Sequence, residues 1–377
     1  MRVLLIGNAN SIHIRRWASS LAGRGLDVSL LSRAQVPVEG VRLIAAEVPS
    51  WAPWRPGRWA QRRRGMFRRV VHEVGPDVVN VHYLGPYSVF PEDLGGARLL
   101  VNTWGSDVIP LGPEPPEQRR QKIRVLRSAD RLMSSSHHLA RATCEYAGLA
   151  QQRVVTNHWG VELDRFGPPG TPSDEPVVGF VKSLQPHYGP RTLLTAFAEV
   201  VQAVPGAKLL MAGRVDELRT ELENQAAGLG ISSKIEWLGH VDYDEVPGLF
   251  RRMGVSAMPS TREAFGMAAI ESQAIGVPVV ASTVGGLPEV VVDGQTGLLV
   301  PPDDPPALAR ALIRVLSDRK LRHRLGRQGR AHVEANFDFN ATVDRMVATY
   351  EEMVSGPGRP ERASAGRSRL LVNSSVV

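Results

Sequence analysis

The sequence is poor in sulfur: one cysteine, Cys144, in 377 residues leaves no partner for an internal disulfide. No cluster of cysteine and histidine has the spacing of a zinc site, so a structural metal is not expected. A reducing cytoplasm suits such a chain. Long apolar runs are missing too. The opening stretch, Met1 to Gly7, is too short for a signal peptide or a membrane span and reads as a first strand. Also absent is Gly-x-Gly-x-x-Gly after a strand. Neither Leu4-Leu5-Ile6-Gly7-Asn8-Ala9 nor Val178-Gly179-Phe180-Val181 supplies it, which argues against a nicotinamide dehydrogenase. No RNA- or DNA-binding module is visible, so nucleic acid is not an expected partner.

What remains is an ordinary globular composition, 43% apolar and 22% charged, enough for two domains of roughly 160 to 180 residues. The formal charge of +7 is unevenly spread. Between Trp51 and Arg69, the tryptophans Trp51, Trp54 and Trp59 alternate with Arg55, Arg58, Arg62, Arg63, Arg64, Arg68 and Arg69. That pattern suits either a solvated helix face or a segment lying on an anionic membrane surface, which would make a cytoplasmic protein peripheral to the membrane.

Short β-branched runs alternate with amphipathic stretches of helical length, the pattern of parallel sheets covered by helices on both faces. Strands are expected at Arg2–Ile6, Asp27–Leu31, Val41–Ile44, Asp77–Val81, Leu99–Asn102, Arg131–Ser134 and Arg153–Thr156. The scheme restarts at Val177–Val181, Ala207–Met211, Ile235–Leu238, Val255–Met258, Val277–Ala281 and Leu298–Val300. The Pro- and Gly-rich stretch Gly167–Pro176 between the two series reads as a linker. The expected organisation is an α/β chain of two doubly wound domains, residues 1–165 and 166–336, facing each other across a cleft. A helix at 337–354 and a disordered tail at 355–377 follow.

The most informative segment runs from Pro259 to Ala281. A strand ends in a polar loop, Phe265-Gly266 opens a helix, and Gly276-Val277-Pro278 stops it before the next strand. Gly266 lets a diphosphate approach the backbone, and the helix N-terminus favours an anion there. Glu263 and Glu271 flank this anion site. Carboxylates bind phosphate poorly but accept hydrogen bonds from hydroxyls, and a sugar nucleotide carries hydroxyls on both sides of its diphosphate.

Here the chain resembles the family 4 glycosyltransferases of the GT-B fold, whose signature is Glu, seven residues and Glu, with Phe-Gly after the first. Thr156–Phe166 is similar to the family's segment entering the second domain, and Val284–Val300 to the stretch after the signature. The opening Gly7–Trp17, with Asn8 and His13, and Trp104-Gly105-Ser106-Asp107 match a bacterial branch. The resemblance implies a retaining, metal-independent transfer of a hexose-type sugar from a nucleotide diphosphate sugar, needing no cofactor. The acceptor stays open: a glycan, a lipid-linked molecule or a small natural product. An epimerase, hydrolase or phosphorylase on the same scaffold is the alternative.

By the same resemblance Glu271 binds the donor ribose and Glu263 contacts the transferred sugar, while Phe265, Gly266 and Met267 line the diphosphate. His240 and Val241 correspond to the base-binding turn. Lys182 stands for the first of two diphosphate-neutralising cations. The second is not a lysine here, and His187 is nearest in register. On the acceptor and sugar side, His82 and Trp104 follow strands of the first domain. Asp107 or His82 would compensate for a sugar-contacting histidine that relatives carry near Trp104.

Overall fold

The computed structural model describes residues 1–46, 58–85, 89–167, 173–214 and 218–356, leaving out the side chains of 58–60. Trp51, Trp54, Arg55, half of the linker and the expected tail beyond 356 lie outside the described residues.

The first sheet contains β1 (Arg2–Ile6), β2 (Asp27–Ser32), β3 (Arg42–Ala45), β4 (Val78–His82), β5 (Arg98–Thr103), β6 (Arg131–Ser134) and β7 (Val154–Thr156). They are parallel, in the order β3-β2-β1-β4-β5-β6-β7. Its helices are α1 (Ile12–Ala22), α2 (Arg58–Val74), α3 (Pro116–Ser128) and α4 (His137–Ala147). The second sheet contains β8 (Val177–Val181), β9 (Lys208–Ala212), β10 (Ile235–Gly239), β11 (Val255–Met258), β12 (Val279–Ser282) and β13 (Gly297–Val300), parallel in the order β10-β9-β8-β11-β12-β13. Around it lie α5 (Pro190–Ala203), α6 (Leu218–Gly228), α7 (Val246–Arg251), α8 (Met267–Ile275), α9 (Leu287–Val290), α10 (Pro305–Ser317) and α11 (Arg319–Asn336). The last described helix is α12 (Phe339–Ser355).

Strand residues alternate between two cores, as a period of two demands. In β1, Leu4 and Ile6 pack with Phe67 and Val71 of α2, while Val3 and Leu5 pack on the other face with Trp17 and Leu21 of α1. That second core also takes Phe339, Val343, Met346 and Tyr350, so α12 covers the first sheet although it follows the second in sequence. The chain therefore crosses between the sheets twice, and the crossings touch. Val161 N–H donates to the Phe337 carbonyl at 2.8 Å, and Phe339 N–H donates to the Val161 carbonyl at 3.1 Å. Gly160 permits this approach, because a Cβ there would collide with the backbone of Asp338 and Phe339.

Strand order reverses beside β1 in one sheet and beside β8 in the other. Crevices open at such points at the carboxyl ends of the strands, and those ends carry the residues singled out above.

In α2, Arg63 is buried, while Arg64 pairs with Glu92 and Asp93, and Arg68 pairs with Asp93 at 3.1 Å. Two arginines of the expected cationic face, Arg64 and Arg68, are thus paired within the domain. Among the described residues no helix is long and apolar enough to cross a membrane.

Candidate active site

The loop from Pro259 to Gly266 leaves β11 and turns into α8 through Gly266 at φ +119°, a conformation that only glycine adopts without strain. The first-turn N–H groups of α8 point out of this end. Gly285 and Gly286 lie against the loop, and Gly286 N–H donates to the Glu263 carbonyl at 3.1 Å, so a tight turn after β12 fixes Glu263. The Glu263 carboxylate pairs with Lys182 just beyond β8. Burial opposes the Lys182 charge, yet Glu263, Tyr188 and Glu271 together outweigh it and hold the ammonium above its ordinary value. Its Nζ also sits 4.2 Å from the centre of the Tyr188 ring, an attraction of a cation for an aromatic face.

Glu271, inside α8, is buried, and its carboxylate accepts a hydrogen bond from the Tyr243 hydroxyl at 3.2 Å. Burial raises its pKa to about 7, against the opposing pull of Arg16, Tyr243 and Lys182. Met267 is half-buried at the helix start. Phe265 turns its ring away, stacking on His158 with centroids 5.7 Å apart, so only its backbone is available to a diphosphate.

A cavity of about 500 Å³ opens beside Lys182, lined by Ser183, Arg214, His240 and Val241. A second, of about 460 Å³, is lined by Trp104 and Ser106 from the first domain and by His187, Tyr188, Arg262 and Glu263 from the second. Ser183 and Gln185 line both, so the two cavities adjoin across these residues.

His187 lines the cleft as a neutral imidazole: burial and then the Lys182 charge push its pKa down, and its carbonyl accepts Thr261 N–H at 2.8 Å. Arg214, which the sequence did not single out, lines the same cavity as Lys182. Two expectations need correction. Asp107 does not reach the cleft. It is fully buried, and its carboxylate accepts the N–H groups of Leu84, Trp104 and Gly105 at 2.8 to 3.2 Å, so it shapes the loop that presents Trp104. His82 is also buried, bonded to Asn80 at 3.1 Å, and burial drives its pKa to about 3. It lies edge-on to Trp104 at 5.8 Å and supports that ring from within the domain. Tyr83 beside it holds φ +70°, the strained backbone that non-glycine residues adopt at functional sites.

His13 is half-buried, packed on Trp104 and Trp159 at 6.1 and 5.1 Å. Burial, then Arg16 and Lys182, lower its pKa to about 3, which places a neutral imidazole across the cleft from the lysine. Asn8 is exposed on the loop after β1, its side-chain oxygen accepting Asn10 N–H at 3.1 Å in an Asx turn.

The domains also meet through Glu289 of α9, whose two carboxylate oxygens accept the N–H groups of His137 and His138, each at 2.8 Å. A carboxylate of one domain thus caps a helix of the other. His137, His158 and Glu289 place their possible ligand atoms within 4.8 Å of one another. The His158 ring nitrogen also lies 3.3 Å from Glu289, so the three residues form an interdomain contact.

Residues 2–136 match the family described as "Glycosyl transferase 4-like", and residues 164–332 match "Glycosyl transferases group 1". The D-inositol 3-phosphate glycosyltransferase of Mycobacterium tuberculosis is 35% identical over 274 residues, 68% of this chain and 55% of that protein. The chain thus spans little more than half the length of the curated relatives it matches. Sucrose-phosphate synthase from Thermosynechococcus elongatus superposes with a TM-score of 0.76 at 22% identity, covering 94% of this chain and 99% of that one. HepE of Anabaena, solved in complex with UDP and glucose, superposes with a TM-score of 0.77 at 18% identity, covering 93% and 100%. With two consecutive glycosyltransferase models along the chain and two parallel sheets folded as in these structures, the protein belongs to the GT-B glycosyltransferases, of the family-4-like kind.

Proposed function

We propose that this protein transfers a hexosyl group from a nucleoside diphosphate sugar to a hydroxyl of an acceptor, with retention of anomeric configuration and without a divalent metal. The observation that carries the reading is the Lys182–Glu263 pair set beside the N-terminus of α8, with Glu271 further along the same helix. When the bond from the sugar to the diphosphate breaks, negative charge grows on the departing phosphate. Lys182 and the helix N-terminus supply fixed positive potential there, the role a metal plays elsewhere. Glu263 accepts sugar hydroxyls and Glu271 accepts ribose hydroxyls. Trp104 and Ser106 of the first domain form the opposing wall.

Retention follows from the family resemblance. HepE's complexes make a uridine nucleotide the first donor to try, and the mycobacterial relatives make a phosphorylated cyclitol the first acceptor. We further infer that docking of the Trp51–Arg69 segment on anionic lipid is weak, since Arg63, Arg64 and Arg68 are buried or paired.

The test is transfer assayed over a panel of UDP-, GDP-, ADP- and TDP-sugars, with the product anomer read by NMR. Activity that survives EDTA and retains configuration supports the proposal. Activity lost to EDTA and restored by magnesium or manganese, or an inverted product, overturns it. Donor consumption that needs no acceptor would assign a hydrolase or epimerase instead.

A further inference from the structure

We propose that Arg16, on α1 of the first domain, is a positioning residue for Glu271 of the second, acting through the Tyr243 hydroxyl and through its own charge on nucleotide binding. The inference rests on the reading of Glu271 as the ribose acceptor.

Arg16 is an unusual surface-helix arginine in that its side chain is almost wholly buried, 5% exposed, where the two domains meet. Its guanidinium lies 4.2 Å from the Phe339 ring centre, donates to the Gly160 carbonyl at 3.3 Å and pairs with Glu162 at 2.9 Å. The remaining nitrogen donates to the Tyr243 hydroxyl at 3.2 Å, and that hydroxyl donates to Glu271 at 3.2 Å. A guanidinium is a donor only, so Tyr243 must accept from Arg16, and its single proton is then directed to the carboxylate. Polarity thus fixes the direction of the relay, and with it which Glu271 oxygen is engaged. A carboxylate has capacity for further donors, so ribose hydroxyls are accepted alongside Tyr243.

The charged and titratable groups facing Glu271 are Arg16 from α1, Glu162 from the connecting segment, Tyr243 from the turn after β10 and Lys182 from the loop after β8. Among those favouring the carboxylate form, Arg16 contributes most, ahead of Tyr243 and Lys182. Ribose hydroxyls need that form as acceptor. Removing Arg16 therefore leaves Glu271 protonated to higher pH, and nucleotide affinity should follow it. A role limited to holding the domains together would weaken binding without moving its pH dependence.

The experiment is calorimetric titration of the full-length protein with UDP, GDP and ADP between pH 5.5 and 9.5, for wild type, Arg16→Gln, Arg16→Lys, Tyr243→Phe and Glu271→Ala. For whichever nucleotide binds, wild-type affinity is expected to rise with pH around a midpoint near 7. Arg16→Gln should move the midpoint up. A move of about one unit weakens binding about fivefold at pH 7 and leaves the two proteins alike above about pH 9. Tyr243→Phe should move it in the same direction by less, and Arg16→Lys should restore it in part. A constant loss at every pH in Arg16→Gln and Tyr243→Phe overturns the proposal. If Arg16→Gln does not fold, an unmoved midpoint in Tyr243→Phe overturns it alone. No nucleotide binding by wild type, or undiminished binding by Glu271→Ala, instead removes the donor-site reading beneath it.

Discussion

Glu271 is buried where desolvation works against its charge, and the ribose hydroxyls proposed above would join Tyr243 in stabilising the carboxylate. Replacing it by alanine should weaken nucleoside diphosphate binding by about 1.5 to 3 kcal/mol, the value of hydrogen bonds to a charged group. Calorimetry reads this directly, and unchanged affinity would end that role. Lys182→Ala should act mainly on turnover, by about a hundredfold to a thousandfold, as removal of a preorganised charge stabiliser does. Asp107→Ala should do neither. It leaves buried N–H groups around the Trp104 loop without an acceptor, at about 1 to 3 kcal/mol of folding stability, so thermal unfolding falls while nucleotide affinity holds. The carboxylate pair was legible in the sequence because its spacing lies within one helix-opening segment. Arg16 and Tyr243 were not, since they stand 227 positions apart and only tertiary packing pairs them. The Trp104-Gly105-Ser106-Asp107 motif was legible as a motif but not in its division of labour, because which side chain faces inward depends on the loop's own hydrogen bonds.

At the scale of elements, the hinge of α8 is one backbone angle. Gly266→Ala would force a side chain into φ +119° with its Cβ 3.0 Å from Leu287. The expected cost is about 1 to 3 kcal/mol of stability, with weaker nucleotide binding as the helix end shifts. Unaltered melting and affinity would show that the turn tolerates another path. Helix α2 offers a different test. With Arg64 and Arg68 neutralised by Glu92 and Asp93, flotation on phosphatidylglycerol vesicles should be slight at low salt and vanish at high salt. Strong, salt-resistant retention would instead assign membrane insertion to the tryptophan-bearing segment. Strand positions were readable to within a residue or two, as with β8 and β11, because both faces of each sheet are covered and the strands are apolar runs. Helices α7 and α9, of six and four residues, escaped notice because neither is long enough to show a helical period.

For the molecule as a whole, the cleft is bounded by two domains joined at a backbone seam, where 160–161 and 337–339 lie together, and at the Glu289 cap. Domains joined this way are expected to close when a donor binds, and small-angle scattering should record compaction at saturating nucleotide; an unchanged profile would indicate a preformed cleft. Gly160→Val should force the seam apart, lowering thermal stability and widening the free protein's profile. Seen as a pivot, the seam has a consequence for timing. Rotation displaces a point in proportion to its distance from the axis, so the cleft mouth near Trp104 travels while groups beside the pivot barely move. Arg16 bonds to Gly160 itself and therefore travels with the axis. On the proposed reading of Glu271, the carboxylate it supports is expected to keep its place at every stage of opening, so the nucleotide would be held before the acceptor arrives and after the sugar has gone.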